Sequence, residues 1–299
     1  MDSHQDTGRP PVIDYEGSDY QASFWDRGQR AYEDQVEAIA LRRLLPPSGK
    51  LLLELGAGAG RNTPRYQGFE RIVLLDYSRT QLEQAQARLG QSERYVYVAA
   101  DVYRLPFVPG LFEAATMVRT LHHIVDVPLA LRQIRQALQP GAAFILEFAN
   151  KHNLKAILRY VLRRQAWSPF SLDPVEFAPL NFDFHPKAIR QWLAGCEFAV
   201  EQQLTVSHFR MDWLKRRAPL KWLVALDAAF QRTGNLWQLS PSVFLRARAV
   251  GGSPLSVPEG FFCCPECRYR PLVETGGSLP CPKCGKQWAV QDGIYDFRG

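Results

Sequence analysis

The chain has 299 residues, of which 46% are hydrophobic and 12% aromatic, and it carries a formal net charge of +6. This composition is typical of packed globular proteins and excludes a disordered chain. The length favours one large domain together with one small domain. Segment 1–11 is polar, and no stretch approaches the roughly 20 apolar residues of a membrane span. We therefore expect no signal peptide, no transmembrane segment and a cytoplasmic location.

Predicted strands and helices alternate between residues 50 and 150. Helical periodicity is found at 78–89, with Ser78 as the N-cap, and at 127–138, before the breaker residues Pro140 and Gly141. Apolar runs predict strands at 51–55, 71–75, 95–100, 114–118 and 142–148. This alternation predicts an α/β fold with a parallel sheet that is covered on both faces.

The pattern changes after residue 150. We expect a helix at 187–194 and strands at 198–206 and 242–249. Two long pieces without predicted strands, rich in Arg, Trp and Pro, are interpreted as insertions that cap a pocket at the sheet edge: 152–185 and 208–239. The composition of 251–260 is that of a linker. The predicted domains are thus 1–250, with its core motifs in 50–150, and a small module at 261–299.

A glycine-rich turn follows the first predicted strand, in the sequence KLLLELGAGAGR. Three alternate glycines come directly after the acid Glu54: Gly56, Gly58 and Gly60. Glycine lets the backbone approach a ligand where a side chain would collide, and the next helix begins with free amides. A P-loop is excluded because no Gly-Lys-Ser/Thr follows, and the dinucleotide fingerprint fails because Arg61 stands in place of its third glycine.

Further motifs follow the turn at regular spacing. Asp76 ends the second predicted strand and Asp101 the third, in AADVYRLPF; FEAATMVRTLHHIVD (112–126) and LRQIRQALQPGAAFILEF (131–148) come next. With the turn, these motifs resemble the class I S-adenosylmethionine (SAM)-dependent methyltransferases over residues 30–250. The resemblance implies a Rossmann-like methyltransferase fold, a doubly wound, mostly parallel seven-stranded sheet. A structural turn with helix-capping acids is the alternative interpretation.

The same resemblance assigns roles at the cofactor site. It implies that Glu54 holds the methionine amino end through the glycine turn and that Asp76 accepts hydrogen bonds from the ribose. It places Asp101 near the adenine amino group, with Tyr77 and Val102 packed on the adenine and Arg119 beside the cofactor. Tyr77 and Val102 are equally compatible with an ordinary core.

Two histidines in the loop after the fourth predicted strand, His122 and His123, are candidates for a general base. Methyl transfer from a sulfonium is an in-line displacement, and a base is needed only if the acceptor arrives protonated. A neutral imidazole can take that proton, and we favour His122. Both histidines could instead be loop residues that orient the backbone, and His185 is a second candidate near the pocket mouth.

Four cysteines in two C-x-x-C pairs lie in the small module: Cys264, Cys267, Cys281 and Cys284. This pattern suits a closed tetrahedral Zn²⁺ site, which is structural, and a tail of this size needs a metal to supplement its core. Disulfides are the competing interpretation, although a cytoplasmic setting disfavours them. Cys263 could replace Cys264, but the two-residue spacing favours Cys264.

The module ends in QWAVQDGIYDFR and, with its cysteine pairs, is similar to the small zinc-ribbon subunits that activate methyltransferases of tRNA, rRNA and a translation release factor. Because the module is fused to its enzyme here, this implies an intramolecular stabilising or activating role. The Asn/Asp-Pro-Pro-Tyr/Phe signature of amino-nitrogen methylation is absent after the fourth strand. The Arg119-Thr-Leu-His122 stretch that stands there is closer to small-molecule and quinone-pathway methyltransferases.

Excess positive charge is concentrated in the middle of the chain. Residues 1–150 carry a net charge of −2, residues 151–250 carry +8, and residues 251–299 are neutral. Lys151, Lys155, Arg159 and Arg163 recur every four residues, as on one helical stripe, and LKRRAPLKWLVAL (214–226) adds a second cluster. The basic segment 151–222 fits an anionic membrane surface, RNA, or a merely solvated face.

The sequence thus predicts a SAM-dependent methyltransferase with a C-terminal zinc ribbon. We favour a small or lipid-like acceptor held beneath the two insertions. The first alternative is a methyltransferase of RNA or of a translation protein, which the ribbon and the basic segment support. The second alternative is a non-catalytic SAM-binding scaffold, because the acidic residues indicate cofactor binding more directly than catalysis.

Overall fold

A computed structural model describes residues 10–13, 16–17, 30–252 and 259–298. Within these residues the helices are α1 (Ala31–Leu44), α2 (Arg79–Leu89), α3 (Val127–Ala137), α4 (Leu154–Val161), α5 (Pro186–Gly195), α6 (Asp212–Arg217) and α7 (Leu220–Phe230). The strands are β1 (Gly49–Leu55), β2 (Phe69–Asp76), β3 (Tyr95–Ala99), β4 (Phe112–Met117), β5 (Leu138–Ala149), β6 (Val175–Ala178), β7 (Asn181–Asp183), β8 (Phe198–Val206), β9 (Ser242–Ala249), β10 (Ser278–Pro280), β11 (Gln287–Gln291) and β12 (Ile294–Asp296).

One large sheet organises the described part of the chain, in the order β10-β11-β12-β3-β2-β1-β4-β5-β9-β8. Strands β3, β2, β1, β4 and β5 are parallel, whereas β9 runs antiparallel to both β5 and β8. The stretch from β3 to β8 is the seven-stranded, doubly wound arrangement predicted from the sequence. This prediction is confirmed, and the observed bounds of β8 and β9 equal the predicted ones.

Local signals fix the ends of the helices that flank this sheet. The Ser78 Oγ accepts a hydrogen bond from the Gln81 amide at 3.3 Å, so Ser78 is the N-cap of α2 as predicted. The Asp126 carboxylate caps α3 in the same way, through the Leu129 amide at 2.9 Å. In the centre of the sheet, the second half of β1 is buried on both faces, as a parallel strand between helical layers requires.

The C-terminal module does not stand apart from the sheet. Strand β12 pairs in parallel with β3, and the Phe297 amide donates to the Ala99 carbonyl at 2.7 Å. Phe262, Trp288 and Phe297 belong to the same buried cluster as residues of β1 and β4. The sheet therefore has ten strands rather than seven, because the module covers the outer edge of β3, whose amides and carbonyls would otherwise lack strand partners.

The two insertions leave the sheet side by side. The first contains α4 and, contrary to the expectation of a strand-free piece, the β6–β7 hairpin. The second contains α6, α7 and a short 3₁₀ turn at residues 231–235. They meet where the Leu154 amide donates to the Leu239 carbonyl at 2.9 Å and the Asn150 amide group donates to Gln238 and Ser240. None of the helices in the described residues has the length and apolarity needed to cross a bilayer.

Candidate functional site

A cavity opens at the carboxyl ends of β1, β2 and β4, where parallel strands commonly hold ligands. The glycine turn forms one wall, and the loop after β4 forms another. Of the residues predicted to bind the cofactor, six line this cavity: Gly56, Gly58, Asp76, Tyr77, Val102 and Arg119. Glu54, Gly60 and Asp101 do not line it. Glu54 and Gly60 contact protein around the glycine turn, and Asp101 contacts the residues that follow β3.

The three glycines of the turn lack a side chain for two different reasons. All three have positive φ angles, of 67°, 52° and 70° along the chain. A Cβ on Gly56 would lie 2.1 Å from Thr120 Oγ1, and one on Gly60 would lie 2.8 Å from Leu89 Cδ1. At Gly58 the nearest atom would be 3.8 Å away. The outer glycines therefore satisfy internal packing, while Gly58 leaves open space that faces the cavity and could receive a ligand.

Glu54 supports the turn from beneath. Its carboxylate is buried and accepts hydrogen bonds from Thr63 Oγ1 at 2.6 Å and from the Tyr66 hydroxyl at 3.2 Å. Burial raises the pKa of Glu54 to about 7, although these two hydrogen bonds and the nearby arginines oppose the shift. Glu54 is therefore a structural neighbour of the turn that changes charge near neutral pH.

Asp76 joins the turn to the second strand. Its carboxylate accepts hydrogen bonds from the Gly58 amide at 2.8 Å and from the Ser78 amide at 3.0 Å. It also lines the cavity, with Tyr77 beside it. An acid fixed by two backbone amides is preorganised to accept further hydrogen bonds, as a ribose diol would require.

Asp101 caps the short 3₁₀ turn that follows β3. Its Oδ1 accepts a hydrogen bond from the Tyr103 amide at 2.8 Å, and its Oδ2 lies 3.7 Å from Arg104 Nε. Val102, which the cap holds in place, faces the cavity. Arg104 in turn forms an ion pair with Glu266 of the C-terminal module. The structure thus connects the cysteine module to the wall of the cavity.

Arg119 occupies a strained backbone position with a φ of 61°. Its amide donates to Glu147 at 2.9 Å, and its guanidinium pairs with the buried Glu37 of α1. Arg61 binds the other oxygen of Glu37 at 2.9 Å. Burial alone would raise the pKa of Glu37, but the two arginines outweigh it and hold this pKa below its usual value. Two cationic side chains are therefore fixed beside the glycine turn.

The two adjacent histidines are placed differently. His123 lines the cavity, and its Nδ1 lies 3.3 Å from the Leu180 carbonyl oxygen, whereas His122 is not part of the lining. Burial lowers the pKa of both imidazoles, so they are neutral near pH 7. His185 is used elsewhere: its Nδ1 accepts a hydrogen bond from the Lys187 amide at the start of α5.

Several cavity residues escaped the sequence reasoning. Val12 and Ile13 come from the N-terminal segment, and Asn62, Gln81 and Thr120 complete the walls. Thr120 lies within the 112–126 motif, but the motif assigned it no role, and the other four lie outside the quoted motifs. The requirement for glycine at position 56 is the nearest signal for Thr120, because that side chain fills the space of the missing Cβ.

The four predicted cysteine ligands lie together, with their sulfur atoms within 4.8 Å of one another. The Cys264–Cys284 and Cys267–Cys281 sulfur distances are 3.7 and 3.4 Å, too long for disulfide bonds. They approach the edge of about 3.8 Å that four Zn–S bonds of about 2.3 Å define in a tetrahedron. Cys263 points away, with its thiol 3.0 Å from the Phe107 carbonyl. The cluster is therefore compatible with zinc.

Comparisons with known proteins find methyltransferases among the relatives of this chain. The methyltransferase domain family matches residues 53–146. The chain is 26% identical over 162 residues to a demethylmenaquinone methyltransferase of Clavibacter sepedonicus, covering 53% of this chain and 66% of the relative. It is 30% identical over 184 residues to a demethylmenaquinone methyltransferase of Mycolicibacterium vanbaalenii, covering 60% of this chain and 72% of the relative.

A solved structure is similar in fold. It is a chain of the complex between the Haloferax volcanii Trm112 methyltransferase activator and a methyltransferase. The TM-score is 0.56 at 15% identity, over 78% of this chain and 96% of that one. For four curated relatives, the match spans only 40 to 66% of their own length.

Proposed function

Because the chain belongs to the SAM-dependent methyltransferase family, we propose that it transfers the methyl group of SAM to a small or lipid-like acceptor. The observation that carries this proposal is the cavity in which Gly58, Asp76 and Arg119 meet at the carboxyl edge of the sheet. The relatives named as demethylmenaquinone methyltransferases support an apolar ring compound as the class of acceptor.

The residues around the cavity suit SAM along its whole length. Open space at Gly58 accommodates the methionine portion, and the guanidinium groups of Arg61 and Arg119 suit its carboxylate. Asp76 suits the ribose hydroxyls. Tyr77 and Val102 provide apolar surface for the adenine, and Asp101 fixes Val102 there. Glu54, Gly56 and Gly60 act on the cofactor through the shape of the turn.

When bound, SAM supplies an electrophilic methyl group on its sulfonium. The chain's own contribution is to hold the acceptor in line with that group and to exclude water from the cavity. If the acceptor carries an ionisable hydroxyl, His123 is the base that its position supports. Donation from Nδ1 to the Leu180 carbonyl selects the tautomer in which Nε2 accepts the proton.

Separate alanine variants test the base. We expect His123→Ala to lower kcat by about 100-fold or more, with SAM affinity unchanged, because general-base catalysis contributes on this scale. His122→Ala should lower kcat far less, since His122 does not line the cavity. If His122→Ala had the larger effect, His122 would be the general base, as the sequence analysis favoured.

The acceptor class is tested with purified protein, methyl-labelled SAM and an extract of the source cells. Label in the solvent-extractable fraction supports the small-molecule or lipid acceptor. Label lost to nuclease or protease would instead support methylation of RNA or of a translation protein. A protein that binds SAM but labels no fraction would be the non-catalytic scaffold.

The second candidate, an RNA or translation-protein substrate, is favoured by the cysteine module. A structurally similar chain comes from a complex with a methyltransferase activator, and here the module is joined to the same chain. We propose that Cys264, Cys267, Cys281 and Cys284 hold a structural Zn²⁺ with no open coordination position. Reduced thiolate ligands fit a reducing compartment, so we place the protein in the cytoplasm.

Residues of the module contact the side of the cavity that we assign to the adenine. Arg298 donates to the Tyr77 carbonyl at 3.3 Å, and Glu266 pairs with Arg104 beside Asp101. We propose that zinc binding stabilises these contacts and thereby the cofactor site. Removing zinc should then weaken SAM binding, as measured by calorimetry, while unchanged affinity in a folded, zinc-free protein would contradict this role.

A further inference from the structure

Apolar side chains are exposed mainly in the two insertions. Of the twenty large apolar or aromatic side chains that the described residues expose, only Val125, Tyr269 and Val273 lie elsewhere. Seventeen lie between residues 154 and 177 or between residues 211 and 239. Soluble proteins rarely leave so many such side chains together in water, so a partner is expected to cover them.

The two main helices of the insertions turn their apolar stripes outward. On α4, Leu154, Leu158 and Val161 are exposed, and only Ala156 is buried. On α7, the exposed side chains recur every four residues, at Trp222, Leu226 and Phe230. A surface helix normally buries such a stripe against its own core. Here the stripes face away from the core and are exposed.

The two insertions contact each other where α4 begins. The first turn of α4 is joined to the end of the second insertion by the hydrogen bond from Leu154 to Leu239, next to the exposed Leu236 and Trp237. We call the exposed apolar side chains of the two insertions, taken together, the insertion surface. Among them are Leu154, Leu158, Val161, Leu162, Trp222, Leu226, Leu236 and Trp237.

Basic side chains surround the apolar members. The exposed cations are Lys155 and Arg159 on α4, Arg163 and Arg164 beyond its end, Arg216 and Arg217 at the end of α6, and Lys221 in the first turn of α7. Arg163 was predicted to continue the helical stripe, but α4 ends at Val161. None of these seven forms an ion pair with another residue in the described ranges. Lys151 is not part of the set, contrary to the predicted four-residue stripe, because it precedes α4 and its Nζ is bound to Ser171 and the Asp173 carbonyl.

We propose that the insertion surface binds the interface of an anionic lipid bilayer. Exposed leucines and tryptophans would enter the headgroup boundary, while the surrounding Lys and Arg side chains meet anionic headgroups. Charge complementarity favours an anionic membrane over a neutral one. The aliphatic character of the leucine-rich stripes favours lipid over RNA, because RNA-binding surfaces use aromatic stacking within a basic groove.

The first insertion also reaches the cavity. The turn of its β6–β7 hairpin contacts His123 through the Leu180 carbonyl. A bilayer held against this insertion would thus lie beside a segment that contacts the cavity wall. The proposal itself does not depend on methyl transfer, because membrane binding can be measured without SAM or acceptor.

The test is cosedimentation of the full chain with vesicles of phosphatidylcholine alone or mixed with phosphatidylglycerol. We expect binding to the anionic vesicles that weakens as salt increases. The double variant Leu158→Glu/Trp222→Glu should bind more than about tenfold more weakly, because each glutamate replaces apolar surface and repels the headgroups. Replacing Arg159 and Arg163 by Gln should weaken binding by about fivefold for each charge removed.

The matched control is Val273→Glu, which puts the same charge on an exposed apolar side chain outside the insertion surface and should leave binding unchanged. Circular dichroism verifies that every variant is folded. Equal binding to neutral and anionic vesicles, or binding to RNA without binding to vesicles, would overturn the proposal. So would a change in oligomeric state on Leu158→Glu/Trp222→Glu, since a second copy of the chain would then cover the surface.

Discussion

The segments added at the two ends of the sheet differ in the burial of their tryptophan side chains. At the β3 end, Trp288 of the cysteine module is 2% exposed and packs on Phe297. At the β8 end, Trp222 and Trp237 of the second insertion are 63% and 54% exposed. Both additions cover an edge strand, but one turns its aromatic side chains inward and the other outward.

This difference separates two uses of an added segment. The module is too small to bury a large core, and its aromatic residues Phe262, Trp288 and Phe297 are buried in the core of the larger domain. The second insertion is held to β8 by polar contacts, including the Gln203 amide to Asn235 at 2.8 Å. Leu223 of α7 is also buried against this edge, whereas the exposed Trp222, Leu226 and Trp237 are not required to hold it. We interpret the β3 end as built for stability and the β8 end as built for contact.

The largest expected effect concerns the cysteine cluster. Cys264→Ser removes a ligand, and we expect the free energy of unfolding of the β3 end to fall by more than about 5 kcal/mol, since metal binding is folding energy in small domains. The neighbouring Cys263→Ser should cost about 1 kcal/mol, because a hydroxyl can still donate to the Phe107 carbonyl. Thermal unfolding and metal analysis measure both. Equal losses would mean that no metal holds the cluster.

The tryptophans at the two ends allow a direct comparison. Trp288→Ala should lower the free energy of unfolding by about 3–5 kcal/mol, as expected for a large buried aromatic side chain. Trp222→Ala should change it by less than about 0.5 kcal/mol, as expected for an exposed position. Chemical denaturation of the two variants measures the difference. If Trp222→Ala were as damaging, the insertion surface would be part of the core, and the contrast would fail.

A smaller effect lies midway between the two ends, at Glu54 on the central strand. Its folded pKa of about 7 exceeds the usual 4.5, so the folded state binds a proton more tightly than the unfolded state. The free energy of unfolding contributed by Glu54 should therefore fall by about 3 kcal/mol as pH rises from about 4.5 to about 7.

Glu54→Gln isolates that contribution, because Gln does not ionise. Its oxygen can accept one of the two hydrogen bonds, and its amide nitrogen can donate to the other hydroxyl group. The difference in free energy of unfolding between the natural chain and the variant should move in favour of the variant as pH rises through this window. Denaturation series at several pH values measure it. A difference that stays constant would show that Glu54 has the same pKa in the folded and unfolded states, which contradicts a raised pKa on the central strand.

Much of the fold was predictable because the strands of the core are continuous apolar runs bounded by turn and capping residues. Periodicity located β8 and β9 with their observed bounds, and Ser78 marked the start of α2. The pairing of β12 with β3 was not predictable, since β12 has only three residues and its partner lies far away in sequence. Periodicity also placed Lys151 on the helical stripe. This prediction is wrong, because Asn153 is the N-cap of α4 and Lys151 precedes it.

The site was predictable where a residue belongs to the glycine turn or ends a strand. Asp76 could be found because it is the last residue of β2. Gly58 could be found because it is the middle one of three glycines that alternate with alanines. The fixing of Arg119 by Glu37 could not be found, because it joins a loop to a helix that no motif connects to it. The different positions of His122 and His123 depend on the path of a short turn, which residue type alone does not determine.

The central claim, that the glycine turn and Asp76 form a SAM site, is tested most directly by titrating SAM into the natural chain, Asp76→Ala and the surface control Asp212→Ala. We predict saturable binding by the natural chain, unchanged binding by Asp212→Ala, and about 10- to 100-fold weaker binding by Asp76→Ala, as expected for lost charge-assisted hydrogen bonds. No binding by the natural chain, or equal affinity in all three proteins, would contradict the assignment of this cavity to SAM.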